Sequence, residues 1–211
     1  MQARTQELSQ ALIVEAGLAL ADTRGIGALT MRALAERLGC TPMAIYRHVA
    51  GKDALIALIV DTALAELAPA RPDIGWQRAM EEFCTAFRAL LLRHRSVAEI
   101  MAGRAVVSGQ TLRLAESAVA ALTRAGFDDA VAVEAFVALS QYTLGASLPG
   151  TGQELYLGWR ELAGELTTRQ FPVLSRAGRH LGTAHADQRF LAGLRHLVLG
   201  YQPARGRATG R

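Results

Sequence analysis

Cysteine, lysine and long apolar runs are all scarce in this 211-residue chain. Its two cysteines, Cys40 and Cys84, are too few for a disulfide framework and lack metal-type spacing, which indicates a reducing compartment and predicts no metal site. No apolar run reaches the ~18–20 residues that a membrane-spanning helix requires. Residues 1–10 also lead into no short apolar block of the signal-peptide kind. These absences predict a cytoplasmic protein with no membrane partner.

Strand signals are missing as well. Alternation of β-branched and polar residues never extends beyond a few positions, whereas apolar residues recur three or four positions apart. Leu8, Leu12, Ala16 and Leu20, for example, would form one buried stripe along a helix. Since 51% of the residues are hydrophobic and only 20% are charged, the chain can fill a sizeable core. The sequence therefore predicts an all-α protein.

Capping residues and glycines predict where the first helices begin and end. Thr30 has the position of an N-cap before a helix over 31–38, which Gly39 stops. Thr41 and Pro42 then begin a helix over 42–49, because a hydroxyl residue suits the N-cap and proline suits the first helical position. A fourth helix should follow over 53–67.

The segment 69–72, which begins and ends with proline, marks a candidate domain boundary. We expect residues 1–68 to form one domain, residues 69–202 to form a second helical domain, and residues 203–211 to form a disordered tail. Ser96-x-x-Glu99 has the pattern of a capping box, which predicts that Ser96 begins a short helix. Longer helices are predicted over 76–93, 109–124, 155–168 and 187–199, together with a long apolar helix that Asp128 caps and that ends near Leu148.

The helices over 31–38 and 42–49 have the form of a helix-turn-helix. Ala35 is small where the two helices cross, Gly39 can adopt the positive φ of the turn, and Ile45 anchors the second helix to the first. The second helix of such a unit fits the major groove of DNA, and the net charge of +4 permits that binding. DNA contacts are predicted for Thr30, Arg32, Thr41, Pro42, Met43, Ala44, Tyr46, Arg47, His48 and Lys52.

The predicted contacts differ in chemistry. Met43 and its neighbours offer apolar contact to a thymine methyl, Arg47 suits a phosphate or a guanine edge, and Lys52 has the position of a phosphate clamp. The alternative interpretation is that Tyr46 only closes the small core and that Arg47 and Lys52 are ordinary solvated charges. Cys40, in the turn, is interpreted as a small turn residue.

The whole segment resembles the DNA-binding domain of the tetracycline-repressor (TetR) family. The matching residues are Thr30, Ala35, Gly39, the run Ala44-Ile45-Tyr46-Arg47-His48-Val49, and Lys52-Asp53-x-Leu55. About 50 residues carry this resemblance. It implies a homodimer with one recognition helix for each half of the operator, and a C-terminal ligand pocket. It also implies that Tyr46, Arg47 and Lys52 lie on the DNA backbone.

A weaker resemblance to the C-terminal domain of the tetracycline repressors covers residues 91–95, 125–127 and 142–145. Those repressors hold a metal–drug chelate with a His and a Thr that follow the first of these segments. Here Met101 stands where the metal-binding His would be, and a thioether is a poor ligand for a hard cation. The departure argues against a magnesium–tetracycline effector and favours a fairly apolar one.

Residues of the second half that could line an effector pocket are Trp76, Met80, Phe83, Phe87, Met101, Phe136, Gln141 and Trp159, although any one residue of this kind is more often core. Gln141 is the best candidate for orienting a ligand, because it is polar within an apolar helix. The helices over 130–148 and 187–199 are apolar on more than one face. This pattern predicts a four-helix dimer interface, with a deeply buried helix in a monomer as the alternative.

Together these features predict a ligand-responsive transcriptional regulator, most simply a repressor, that binds a near-palindromic operator as a homodimer. Its predicted partners are double-stranded DNA, a small-molecule effector and a second copy of itself, and no cofactor is predicted. One alternative is an architectural DNA-binding protein without an effector. The other is a helical enzyme that uses its basic region for docking, but the sequence contains no nucleophile–base pair, phosphate-binding loop or metal cluster.

Overall fold

The computed structural model describes residues 7–151, 153–165, 169–180 and 185–203. Every regular element in these ranges is helical, which confirms the all-α prediction. The predicted tail beyond Pro203 lies outside the described residues. In the part of the chain that is described, no helix is both long enough and apolar enough to span a bilayer.

Eleven α-helices and three short 3-10 turns make up the described ranges. The turns are Ile26–Ala28, Pro72–Ile74 and Gly178–His180. The helices are α1 Gln10–Arg24, α2 Met31–Leu38, α3 Pro42–Tyr46, α4 Lys52–Leu64, α5 Trp76–Arg93, α6 Arg95–Gly103, α7 Gly109–Arg124, α8 Asp129–Gly145, α9 Gln153–Glu165, α10 Pro172–Ala177 and α11 Ala186–Gly200.

The chain divides into two compact units. The first contains Met1–Ala68 together with Arg93–Leu114, and the second contains Pro69–Leu92 together with Ala115–Arg211. The first unit therefore includes α6 and the beginning of α7 in addition to α1–α4.

The core of the first unit forms where α1 packs against α4. Ile13, Leu20 and Ile59 are fully buried or nearly so. Gly17 lies at the closest approach, because a Cβ atom at this position would stand 3.1 Å from Cδ1 of Ile59. The bulk of Ile59 therefore fills the space that a larger side chain on α1 would need.

The core of the second unit consists of apolar faces of α5, α7, α8 and α11. Its most deeply buried large side chains include Met80, Leu122, Leu139 and Leu194. Tyr142 of α8 lies across α11, where its ring stacks on that of Phe190 with centroids 5.6 Å apart. Its hydroxyl donates a hydrogen bond of 3.1 Å to the Phe190 carbonyl.

Three helices have the predicted bounds, namely α2, α5 and α7. Helix α3 is shorter than predicted, because the N–H groups of His48 and Val49 both donate to the Ile45 carbonyl and the chain turns there. Helix α4 spans 52–64 rather than 53–67. Asp128 is the N-cap of α8 as predicted, but α8 ends three residues early. Helix α9 begins two residues early, and α11 extends one residue further at each end. The predicted end of α9 at residue 168 lies outside the described residues.

The predicted capping box at Ser96 is wrong. His94 is the N-cap of α6, and Ser96 lies inside the helix with 2% of its surface exposed. Its hydroxyl instead donates a hydrogen bond of 2.6 Å to Asp22 of α1. The acceptor at the start of α6 therefore comes from a distant helix.

Candidate nucleic-acid interface and effector region

The helix-turn-helix is built by α2, the turn at residues 39–41, and α3. The Thr30 side chain accepts a hydrogen bond of 3.1 Å from the Ala33 N–H at the start of α2. The Thr41 side chain accepts one of 3.3 Å from the Ala44 N–H at the start of α3. Both hydroxyl groups therefore cap helices, and each keeps an O–H that can still donate to a phosphate.

The turn depends on Gly39, whose backbone is left-handed with φ 66° and ψ 29°. A residue with a Cβ atom is strained in this conformation. Below the turn, Leu34, Ile45 and Val49 are at most 3% exposed. This small core fixes the orientation of α3, although α3 has only five residues.

Nine of the ten predicted DNA-contacting residues are exposed, and Ala44 is half-buried. Met43 has 71% of its surface exposed and Tyr46 has 48%. Their exposure is what an apolar contact in a DNA groove and an aromatic contact to the backbone would require. DNA binding by the individual residues stays a prediction.

Two contacts at this surface were not anticipated. Arg32 forms an ion pair of 3.1 Å with Glu36 one turn further along α2, so its charge is shared before any DNA is bound. Gln10, at the start of α1, donates a hydrogen bond of 3.2 Å to the His48 carbonyl. This bond ties the turn that follows α3 to α1, and no local pattern connects residues 38 positions apart.

In the second unit, four of the predicted effector residues occupy one buried face of α5. Trp76 meets Phe127 edge to face with ring centroids 4.8 Å apart, and Phe83 and Phe87 stack at 6.5 Å. Met80 is 1% exposed. The four side chains form an aromatic-rich surface in the interior of this unit, suited both to core packing and to apolar ligands.

The remaining predicted effector residues are less buried than these four. Phe136 is half-buried, whereas Gln141 is exposed and Trp159 is 55% exposed. Met101 is half-buried and belongs to the first unit. The assignment of these residues to an effector pocket therefore remains a prediction.

A groove of about 580 Å³ lies between α5 and α11. Arg78 pairs with Glu82 at 2.8 Å, and Arg195 approaches Glu81 at 3.4 Å. The charged groups that line the groove therefore compensate one another. None of the eight predicted effector residues lines this groove, whose walls are Arg78, Glu81, Glu82, Thr85, Ala86, Ala89, Leu191 and Arg195.

Cys84 is the buried cysteine of α5, and desolvation raises the pKa of its thiol to about 11. Its hydrogen bond with Thr143 acts in the opposite direction but is the smaller influence. A thiol of this kind stays protonated at neutral pH and is a poor nucleophile.

Helices α8 and α11 bury one side within the unit and leave apolar side chains on the other. Ala132, Ala135 and Leu139 are buried, whereas Val133 and Val137 of α8 are 49% and 42% exposed. Leu199 of α11 is 67% exposed. The prediction that these helices are apolar on more than one face therefore agrees with the side-chain positions.

Two family models match the chain. "Bacterial regulatory proteins, tetR family" matches residues 13–59, and "Tetracyclin repressor-like, C-terminal domain" matches residues 68–203. The class D tetracycline repressor protein of Escherichia coli is 30% identical over 198 residues, covering 92% of this chain and 89% of the relative. An HTH-type transcriptional regulator of Saccharopolyspora erythraea is 33% identical over 147 residues, 69% of this chain and 62% of that protein's length.

Solved structures show the same relationship. The crystal structure of apo ActR from Streptomyces coelicolor superposes with a TM-score of 0.83 at 27% identity, covering 92% of this chain and 95% of ActR. The complex of ActR with actinorhodin gives a TM-score of 0.83 at 26% identity and the same coverage. The predicted resemblance is confirmed: the chain belongs to the TetR family of bacterial transcriptional regulators.

Proposed function

We propose that this protein is a ligand-responsive transcriptional repressor that binds a near-palindromic operator as a homodimer in the cytoplasm. The observation that carries the proposal is the surface of α3, where Met43 and Tyr46 are exposed while Ile45 anchors the helix in a buried core. A rigidly held helix with exposed apolar and polar groups is suited to reading base edges.

The exposed cations set the affinity in this proposal. Arg47, at the end of α3, and Lys52, the first residue of α4, are both exposed. In a homodimer each of these charges occurs twice, and phosphate contacts of this kind supply most of the binding free energy and its salt dependence. Lys52 is the only lysine of the chain.

The homodimer is supported by the outer faces of α8 and α11. Val133 and Val137 on α8 and Leu199 on α11 present apolar surface that a single chain leaves in water. Two helices from each chain would bury this surface in a four-helix arrangement. Dimerisation would also place two recognition helices about 34–36 Å apart, one turn of DNA.

A fairly apolar effector is supported by the aromatic face of α5 and by Met101. The aromatic side chains can pack against a ring system, and a thioether does not favour a magnesium ion. ActR, whose fold this chain shares, has been crystallised with actinorhodin. An effector releases the operator if it binds the non-DNA conformation more tightly, by a coupling of about 1–3 kcal/mol or more.

The test begins with selection of duplexes that the purified protein retains from a genomic library. Fluorescence anisotropy then compares the selected duplex with a shuffled one at two salt concentrations. We expect a preference of ~10³-fold or more for the selected duplex. Equal and steeply salt-dependent binding to both would instead identify an architectural DNA-binding protein. No binding to either duplex at low salt would exclude DNA binding altogether.

The same assay tests the roles of Lys52 and the effector. Lys52→Ala should weaken binding to all duplexes alike and lower the salt slope by about 1 for each protomer, whereas the exposed Arg124→Ala should leave both unchanged. A change in sequence preference alone would contradict the phosphate clamp. Magnesium with tetracycline should leave the complex intact, and fairly apolar compounds that reverse the anisotropy are candidate effectors.

A further inference from the structure

Residues within the segment 93–114 form polar contacts with both ends of α4. Near the C-terminal end, the Asp61 carboxylate accepts a hydrogen bond of 2.7 Å from the Gln110 N–H, and the Gln110 side chain donates one of 3.4 Å to the Leu64 carbonyl. At the N-terminal end, Nη1 of Arg104 lies 2.8 Å from Oδ1 of Asp53. All of these residues belong to the first compact unit.

The attachment at the N-terminal end brings a third charge beside the proposed phosphate clamp. Asp53 directly follows Lys52, and its side chain is 87% exposed. Arg104 is the C-cap of α6 and comes from 51 residues further along the chain. The formal charge of Lys52, Asp53 and Arg104 together is +1, and without Arg104 it would be zero.

We propose that Arg104 is a positioning residue for operator binding, which acts by pairing with the Asp53 carboxylate beside the phosphate clamp. The proposal rests on the proposed DNA-binding function. An uncompensated carboxylate next to Lys52 would repel the DNA phosphates and reduce the counterion release that drives binding. Arg104 lies outside the helix-turn-helix, so it controls affinity through Asp53 rather than through a base edge.

This pair also connects residues 93–114 with operator affinity. A movement of this segment that separates Arg104 from Asp53 would leave the carboxylate unpaired at the DNA-facing end of α4. The electrostatic result would be the same as removal of the Arg104 charge. Substitution of Arg104 therefore reproduces the consequence of such a movement without an effector.

The test is a double-mutant cycle measured by anisotropy with the selected duplex. Arg104→Gln should weaken binding about 3- to 10-fold, since the charge is lost in both protomers and exposed charges are partly screened. Asp53→Asn in the Arg104→Gln background should restore the wild-type Kd to within about 2-fold, because the local charge returns to +1. The same change in the wild-type background should have a smaller effect, and Arg104→Lys should bind like the wild type.

The control is Arg71→Gln, which removes an arginine from the exposed 2.8 Å pair with Asp73 in the other unit. An Arg104→Gln variant that binds no more weakly than this control would overturn the inference. So would a weakened variant that Asp53→Asn fails to restore, since Arg104 would then act directly on DNA or on folding. Failure of the wild-type protein to bind any duplex would overturn the proposed function itself, and is seen before any variant is made.

Discussion

Replacing Asp22 with alanine should loosen the start of α6, because one carboxylate of α1 supplies its acceptors. Oδ1 of Asp22 accepts hydrogen bonds from the Ser96 N–H at 3.3 Å and from the Ser96 hydroxyl at 2.6 Å. Oδ2 lies 2.8 Å from Nδ1 of His94. A carboxylate at this position also interacts favourably with the positive end of the helix dipole.

The expected loss of stability depends on which groups lose a hydrogen-bond partner in Asp22→Ala. In the variant, His94 would still have the Glu66 carboxylate as a partner, 3.4 Å from its Nε2. The Ser96 hydroxyl, however, is buried and would lose its acceptor, at a cost of about 1–2 kcal/mol. Loss of the helix cap adds about 1 kcal/mol, and the higher helix propensity of alanine within α1 returns about 0.6 kcal/mol. We expect a net destabilisation of about 2 kcal/mol.

Urea unfolding followed by circular dichroism, at one protein concentration, measures this change. Asp22→Asn should cost less than Asp22→Ala, since the amide oxygen can still accept from Ser96. The matched control is Glu15→Ala on the same helix, whose exposed side chain should contribute no more than about 0.5 kcal/mol. Amide hydrogen exchange should accelerate at residues 95–98 in Asp22→Ala and not in Glu15→Ala.

Two results would refute this reasoning. If Asp22→Ala is no less stable than Glu15→Ala, the hydrogen bonds to Ser96 do not contribute measurable stability. If Asp22→Asn is as damaging as Asp22→Ala, the charge matters and the acceptor geometry does not.

Three further predictions concern the turn, the thiols and the dimer. Gly39→Ala should lower the free energy of unfolding by about 1 kcal/mol, because the strain of the left-handed backbone exceeds the entropy that alanine saves in the unfolded chain. Gly39→Asn should cost less in the same urea assay. Equal stability of the wild type and both variants would contradict this prediction. With a thiol reagent at pH 8, Cys40 should react quickly and Cys84 only after unfolding. Because the folded-state pKa of Cys84 is raised from 9.0 to about 11, the free energy of unfolding should fall as the pH rises from 9 towards 11. Cys84→Ala should remove this part of the fall. A pH profile that Cys84→Ala leaves unchanged would argue against the shift. Val137→Glu should convert the dimer to monomer in sedimentation velocity, whereas a dimer of unchanged affinity would place the interface elsewhere.

The sequence predicted the bounds of a helix correctly where the residues that begin and end the helix lie directly beside it. Thr30 and Gly39 delimit α2 as predicted, since a cap and a left-handed glycine act within a few residues. The exposure of Met43 beside the buried Ile45 also followed from helical spacing alone. The family resemblance in this region rests on the same short stretch and was confirmed.

Predictions failed where an acceptor came from elsewhere in the chain. Ser96 and Glu99 have the spacing of a capping box. The Ser96 hydroxyl instead donates its hydrogen bond to the Asp22 carboxylate, 74 residues away. The inclusion of α6 in the first compact unit also depends on contacts across this distance.

The sequence by itself determined the helical class, the helix-turn-helix and the family, because each depends on periodicity, capping and residue order within short windows. Only the tertiary structure decided that Asp22 holds the start of α6, that Gln10 holds the turn after α3, and that Arg104 pairs with Asp53. The residues that meet in these contacts are separated by 38 to 74 positions. Their meeting depends on how the helices pack, and no local pattern specifies that packing.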